Sequence, residues 1–404
     1  MKVTLSNQLF DLEKLEKVAR KNKDFQEHLE KVYRQKEFKT PESFINLPFN
    51  KFQIIEILEL RKKFNLKKIK KLFVIGIGGS IQGTKAIYNL LKREKNLLSV
   101  EFIDYISEDV LSNSIKQIKK MDKDEYLIFI VSKSGQTIET IYNYEILQNY
   151  LDIEPSRIIF ITEENSNQIS VIKHKKMNIL SMPKKISGRY SVFTHVGLAP
   201  LAFCGINIVK ILEGAEDEVR KLISEESEAP LVAASKFLAE VRINETLYSD
   251  NSFEELGKWE KQLFNESLGK NDDTFFTSHG NFFIEAHSSL QFYLNSSQVY
   301  LNIISKRNEE SLFLNSTSIL SKKYLGSDIN EIENAILLSI QKDLNTKEIP
   351  FINFEFSNET EKEIGRYMQF RMHEVLFLGF FYKINPFNQP DVQSHKENFE
   401  KYLS

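Results

Sequence analysis

The 404-residue sequence predicts an α/β protein with mainly parallel sheets in two halves, and three observations carry that expectation. Continuous apolar runs closed by small residues, such as residues 72–77 before Gly78, Gly79 and Ser80, read as strands buried on both faces. Segments of helical period lie between these runs, long enough for the crossovers that parallel neighbours require. After Gly205 the same alternation begins again, less regularly, with no short repeat and no low-complexity tract.

Taken in order, residues 1–65 are charged and helical in pattern. Leu12, Leu15 and Val18 repeat at helical spacing, Ile54, Ile55, Leu58 and Leu60 mark a second helix, and Pro41 and Pro48 interrupt between them. Strands are then expected over 72–77, 100–105, 126–131 and 157–162, and helices over 84–91, 108–120 and 137–150. A stretch rich in glycine and apolar residues, 187–205, crosses out of that sheet. In the second half helices are expected over 230–244, 259–267, 281–294 and 331–344, with strands near Phe275 and over 299–304 and 350–356. Ile364, Met368, Met372, Val375 and Leu376 keep a period of about 3.6, so a long buried helix covers them. Residues 385–390 break it and 392–403 form a final helix. The expected organisation is a helical segment (1–65), two α/β domains (66–205 and 206–385) and a returning C-terminal helix (386–404).

Composition narrows the function. Lys and Arg number 54 against 56 Asp and Glu, a formal charge of −2, which offers no basic footprint for nucleic acid or an anionic membrane. An anionic substrate must therefore be held by a local site. The single Cys204 suits a reducing compartment. The N-terminus lacks the apolar core of a signal peptide, and no apolar run approaches the roughly 20 residues of a membrane span. A cytoplasmic location is expected. The seven histidines show no zinc-type spacing, so neither a metal nor another cofactor is expected.

Several stretches have the residue types that chemistry needs. GIGGS (76–80) sits where a strand ends and a helix begins, where glycines admit a ligand to the backbone and the helix N-terminus favours an anion. A dinucleotide fingerprint requires glycine at Ile81, and a P-loop requires the reverse of Thr84–Lys85, so neither nucleotide motif holds. SKSGQT (132–137) places the hydroxyls of Ser132, Ser134 and Thr137 at another strand-to-helix turn, a neutral phosphate cradle or simply a helix cap. Arg189 precedes an apolar helix, either as a surface ion-pair residue or as a guanidinium facing developing negative charge. In KWEKQLFNESLGK (258–270), Trp259, Leu263 and Phe264 form the apolar stripe of a helix stopped at Gly269. Gln262 and Glu266, one turn apart, share a face; they are a proton-transfer group with its orienting amide, or a solvated helix surface. His287 lies in a mostly apolar helix, where a core histidine is the plainer reading.

Together and in this order, VIGIGGS (74–80), SKSGQTIET (132–140), SGRYSV…VGL (187–198), KQLFNESLGK (261–270), HSSLQ (287–291) and NPFNQPDVQSHK (385–396) resemble the phosphoglucose isomerase family from about residue 70 onward. The resemblance implies two three-layer αβα domains of sugar-isomerase type and a homodimer. It implies that Gly79, Ser80, Ser132, Ser134, Thr137 and the backbone of Lys133 hold a sugar phosphate, glucose 6-phosphate or fructose 6-phosphate. Glu266 would be the base, with Gln262 nearby; Arg189 would stabilise the enediolate. His287, from the partner subunit, and Lys396 would assist ring opening, and Gln389 would line the pocket. Gln136 stands where the family usually has Thr, His195 where it has Pro, and His395 where an aromatic is commoner. A bifunctional enzyme that also takes mannose 6-phosphate, and a non-catalytic sensor on the same fold, remain open at this point.

Overall fold

The computed structural model describes residues 1–6, 11–20, 23–92, 97–166, 168–306, 311–316, 319–320, 322–357, 360–392, 398 and 402. In chain order the strands are β1 (Lys2–Leu5), β2 (Lys71–Ile75), β3 (Ser99–Ile103), β4 (Tyr126–Val131), β5 (Ile158–Glu163), β6 (Asn178–Met182), β7 (Ile243–Tyr248), β8 (Phe276–Asn281), β9 (Val299–Lys306) and β10 (Phe351–Phe356). They form two five-stranded sheets. The first, ordered β3-β2-β4-β5-β6, is wholly parallel. The second, ordered β1-β10-β9-β7-β8, is parallel except for β1, which pairs antiparallel with β10 at the edge.

The apolar runs produce the first sheet for a simple reason. Successive strand residues point to opposite faces, and here both faces are covered. Leu72, Val74, Leu127, Phe129 and Val131 enter the main core on one side. Phe73, Ile75, Ile128 and Ile130 enter a second core on the other. Burying one such side chain is worth about 1.5–3 kcal/mol, so a central strand apolar at every position is driven to the middle of a covered sheet.

The second sheet is built differently. One face of β9 carries Val299, Leu301 and Ile303 into a local core. The other presents Tyr300, Asn302 and Ile304, and Asn302 meets a network with no solvent exposure. There Lys236 pairs with Glu374 at 2.6 Å, and Arg371 bridges Glu374 at 2.6 Å and Glu260 at 3.1 Å. Asn302 accepts from Lys236, and the hydroxyls of Thr246 and Tyr367 donate to Glu260. The four charges come from the helices Ala229–Ala239, Glu254–Leu268 and Glu361–Phe381. All three are thereby tied to one another, and through Asn302 and Thr246 to the sheet.

Most expected elements appear within a few residues of their sequence positions; the helices Ile169–His174 and Ile208–Ile223 lie where none was expected, and three strand regions also differ. Residues 2–5, read as part of a helical segment, form β1. The helix expected over 230–244 ends at Ala239, with Glu240 left-handed at φ 50°, and β7 begins at Ile243. β7 escapes an apolar pattern because its buried residues include Asn244, Glu245 and Thr246, which hydrogen-bond to neighbours. The short edge strand β6 lies where no strand was expected. The helix expected over 392–403 falls almost wholly outside the described residues. Among those described, no helix is long and apolar enough to cross a membrane.

Candidate active site

In the order β3-β2-β4 the sheet changes its direction of growth between β2 and β4, and the crevice beyond the carboxyl ends of two such strands is where ligands bind in open parallel sheets. GIGGS leaves β2 and SKSGQT leaves β4, so the two turns meet at that crevice. A Cβ on Gly76 would stand 3.1 Å from the Val131 carbonyl, which shows how closely they abut. Ser132 is buried; its Oγ lies 2.9 Å from Thr137 Oγ1 and accepts the Thr137 N–H at 3.3 Å. Ser134 is exposed, and its Oγ accepts the Gln136 N–H at 3.1 Å. Thr137 caps the helix Ile138–Tyr150 without a side-chain bond to it, leaving first-turn N–H groups facing outward. Gly135 has φ 71°, and a Cβ there would lie 2.5 Å from Ser166 Oγ, so the tight turn requires glycine. Burial pushes the Lys133 ammonium below its ordinary range; Glu163 opposes this, while Lys184, Arg189 and Lys185 add to it.

A second pair of turns brings in Arg189 and its partners. A Cβ on Gly79 would be 2.2 Å from the Gly188 carbonyl carbon, so only glycine lets the 3-10 turn Gly78–Ser80 rest directly on the turn Gly188–Tyr190. That contact seats Arg189 behind the two strand-to-helix turns, 2% exposed. Its Nε donates to Ser267 Oγ at 2.8 Å, Nη1 to Glu266 Oε1 at 2.9 Å, and Nη2 to the carbonyls of Pro386 at 2.7 Å and Asn388 at 3.0 Å. Gln262 Nε2 donates to the other carboxylate oxygen of Glu266 at 3.0 Å. The helix Glu254–Leu268 buries Trp259, Leu263 and Phe264, which leaves Gln262 and Glu266 on its partly open face. Gly269 ends the helix, its N–H donating to Asn265 O at 2.9 Å.

The structure thus brings Gly79, Ser80, Arg189, Gln262 and Glu266 together at the edge of the strand-to-helix turns. Burial settles the two readings of Arg189 against a surface ion pair. Gln389 is exposed, one residue beyond the Asn388 carbonyl that Arg189 holds. His287 is exposed near the end of the helix Phe282–Ser288 and has no hydrogen-bond partner among the described residues. Lys396 lies outside them. Sequence reasoning passed over Ser267, which holds Arg189, and Lys270, whose Nζ donates to the Asn385 carbonyl. Both stand in the Glu266 motif, but only their distant partners single them out. Among the described residues no cluster of three or more His, Cys, Asp or Glu is arranged to hold a metal.

Two mainly parallel sheets, with a switch-point crevice beside a part-buried carboxylate–guanidinium pair, make this an α/β protein with a ligand-binding type of sheet edge. Solved structures share the fold. A hypothetical protein from Thermus thermophilus superposes with a TM-score of 0.83 at 20% identity, covering 100% of both chains. A glucose-6-phosphate isomerase from Chlamydia trachomatis gives 0.72 at 22% identity, covering 86% of this chain and 73% of its own. The phosphoglucose isomerase family model matches residues 59–279, more than half of the chain. The glucose-6-phosphate isomerase of Methanocaldococcus jannaschii is 31% identical over 363 residues, 84% of this chain and 85% of its own. The chain belongs to the phosphoglucose isomerase family.

Proposed function

We propose that this protein interconverts D-glucose 6-phosphate and D-fructose 6-phosphate through a cis-enediolate, as a cytoplasmic enzyme of glycolysis and gluconeogenesis. The observation that carries the reading is the Glu266 carboxylate held between Gln262 and the buried Arg189, next to the two strand-to-helix turns. Ser80, Ser132, Ser134, Thr137 and the backbone of Gly79 and Lys133 hold the phosphate, a neutral cradle at a helix N-terminus. In this reading the first domain supplies the cradle and the second the base. Glu266 takes the proton from C2 of the open-chain aldose and returns it to C1. Arg189 faces the negative charge that develops on the enediolate oxygens, from a buried position that strengthens the attraction. The reaction moves a proton and a carbonyl within one molecule, so it calls for no redox cofactor and no metal.

Ring opening needs a second proton carrier, and His287 stands exposed with no hydrogen-bond partner among the described residues. We assign that step to the partner subunit's His287 in a homodimer, assisted by Lys396, with Gln389 lining the pocket. The exposed apolar side chains near His287, Ile284 at 62% and Phe292 at 52%, support a face covered by a second chain. A coupled assay on glucose 6-phosphate and mannose 6-phosphate, with and without chelator, tests the reading. Turnover of glucose 6-phosphate unaffected by chelation is expected; a protein that binds but does not convert it is a sensor.

A further inference from the structure

We infer that Lys270 is a positioning residue of this site: its ammonium fastens the turn at residues 385–388 against the Glu266–Arg189 pair, and the clasp holds only while the amine is charged. The inference rests on the isomerase reading, since it assigns a role within that reaction. Two cations from different elements hold this one turn. Lys270, just past the capping Gly269, donates to the Asn385 carbonyl, and Arg189 donates to the carbonyls of Pro386 and Asn388. The turn also closes on itself, with the Phe387 N–H donating to Asn385 Oδ1 at 2.9 Å. Gln389 follows directly, so whatever holds the turn also sets where Gln389 and the segment beyond it begin.

Arg189 cannot do this alone. Four of its five N–H donors are already committed, to Ser267, Glu266 and the two carbonyls. Lys270, by contrast, has no carboxylate within ion-pair distance among the described residues, and its hydrogen bond goes to a carbonyl. The charged groups facing it are Arg189 on the Gly188–Tyr190 turn, Glu266 on the helix and Asp391 on the last described turn. Burial, and then Arg189, lower its pKa to about 8, with Glu266 and Asp391 opposing. The sign follows: below about 8 the ammonium is present and the clasp is closed, and as pH rises through 8 the charge is lost. A neutral amine makes a weaker bond to a carbonyl than an ammonium does and no longer attracts Glu266.

The test compares pH profiles of kcat/KM for the full-length wild type, Lys270→Arg and Lys270→Met. The wild type should lose activity on an alkaline limb near pH 8. In Lys270→Arg, whose guanidinium stays charged, the limb should move to distinctly higher pH with a plateau close to wild type. In Lys270→Met the limb should vanish and kcat/KM at neutral pH should fall about ten-fold, the size of one charge-assisted hydrogen bond. A residue that merely packs the helix end would not move the limb. The Arg variant keeps the charge, so it decides the matter even if the Met variant melts early. An active wild type without the limb, or a limb unmoved in Lys270→Arg, overturns the inference alone. A wild type that converts neither sugar phosphate overturns the isomerase reading and this inference with it.

Discussion

Replacing Glu266 by Gln leaves a side chain of the same shape between Arg189 and Gln262 but removes the carboxylate proposed as the base. kcat should fall by about 10²–10⁴, while substrate affinity, supplied largely at the phosphate turns, stays close to wild type. Solvent deuterium uptake at C2 of glucose 6-phosphate is the direct measurement; exchange at the wild-type rate would remove Glu266 from the mechanism. Arg189→Lys is not conservative here, because one ammonium cannot serve Ser267, Glu266 and two carbonyls at once. A loss of about 10²–10³ in kcat is expected from weaker charge stabilisation, read by steady-state kinetics with a check on the fold. At this scale the legible features were local ones. Gln262 and Glu266 are four residues apart, so helical spacing alone put them together. Lys270 acquires a role only through Asn385, 115 residues away, and no local pattern announces such a partner.

The strand-to-helix turns act as units. Ser132 and Thr137 share a hydrogen bond across the SKSGQT turn, so Ser132→Ala and Thr137→Ala should behave as coupled changes. Each lost bond to a phosphate oxygen is worth about 1.5–3 kcal/mol, roughly ten- to a hundred-fold in affinity. Competitive inhibition by other sugar phosphates should weaken in parallel with KM. A double variant that binds fructose 6-phosphate as tightly as wild type would reduce the loop to a helix cap. Elements were readable where burial alone explains them: β4, apolar at all six positions, was found at its observed limits. β7 was not, because Asn244 and Thr246 point into a polar interior that exists only once Glu260, Asn302 and Thr277 have arrived. β1 was missed because an edge strand of four residues needs no continuous apolar run, and its alternating burial is too short to outweigh the helical pattern that follows.

For the whole molecule, the quartet of Lys236, Glu374, Arg371 and Glu260 stakes stability on complete pairing. Arg371→Met strands the buried Glu260 carboxylate and leaves Glu374 with Lys236 alone, and should cost about 3–5 kcal/mol, measured by denaturant unfolding. An unchanged midpoint would show that the network is dispensable. The dimer assignment has its own check. Mixing the Glu266→Gln and His287→Ala proteins should restore activity at one of the two sites in each hybrid dimer, and no recovery after proven exchange would place both groups in one chain. The pairing of β1 with β10 also bears on how the protein is made. Lys2 stands opposite Glu355 and Leu5 opposite Ile352, so β1 leaves the ribosome long before the strand that pairs with it. At roughly 5–20 residues per second, it waits roughly 20–70 seconds for its partner, while β2 to β6 find theirs within a contiguous stretch of nascent chain. A polypeptide stalled before Phe351 therefore displays an unmatched N-terminal strand. Chaperones that shelter short extended segments matter most for this protein in the interval between the two strands' synthesis.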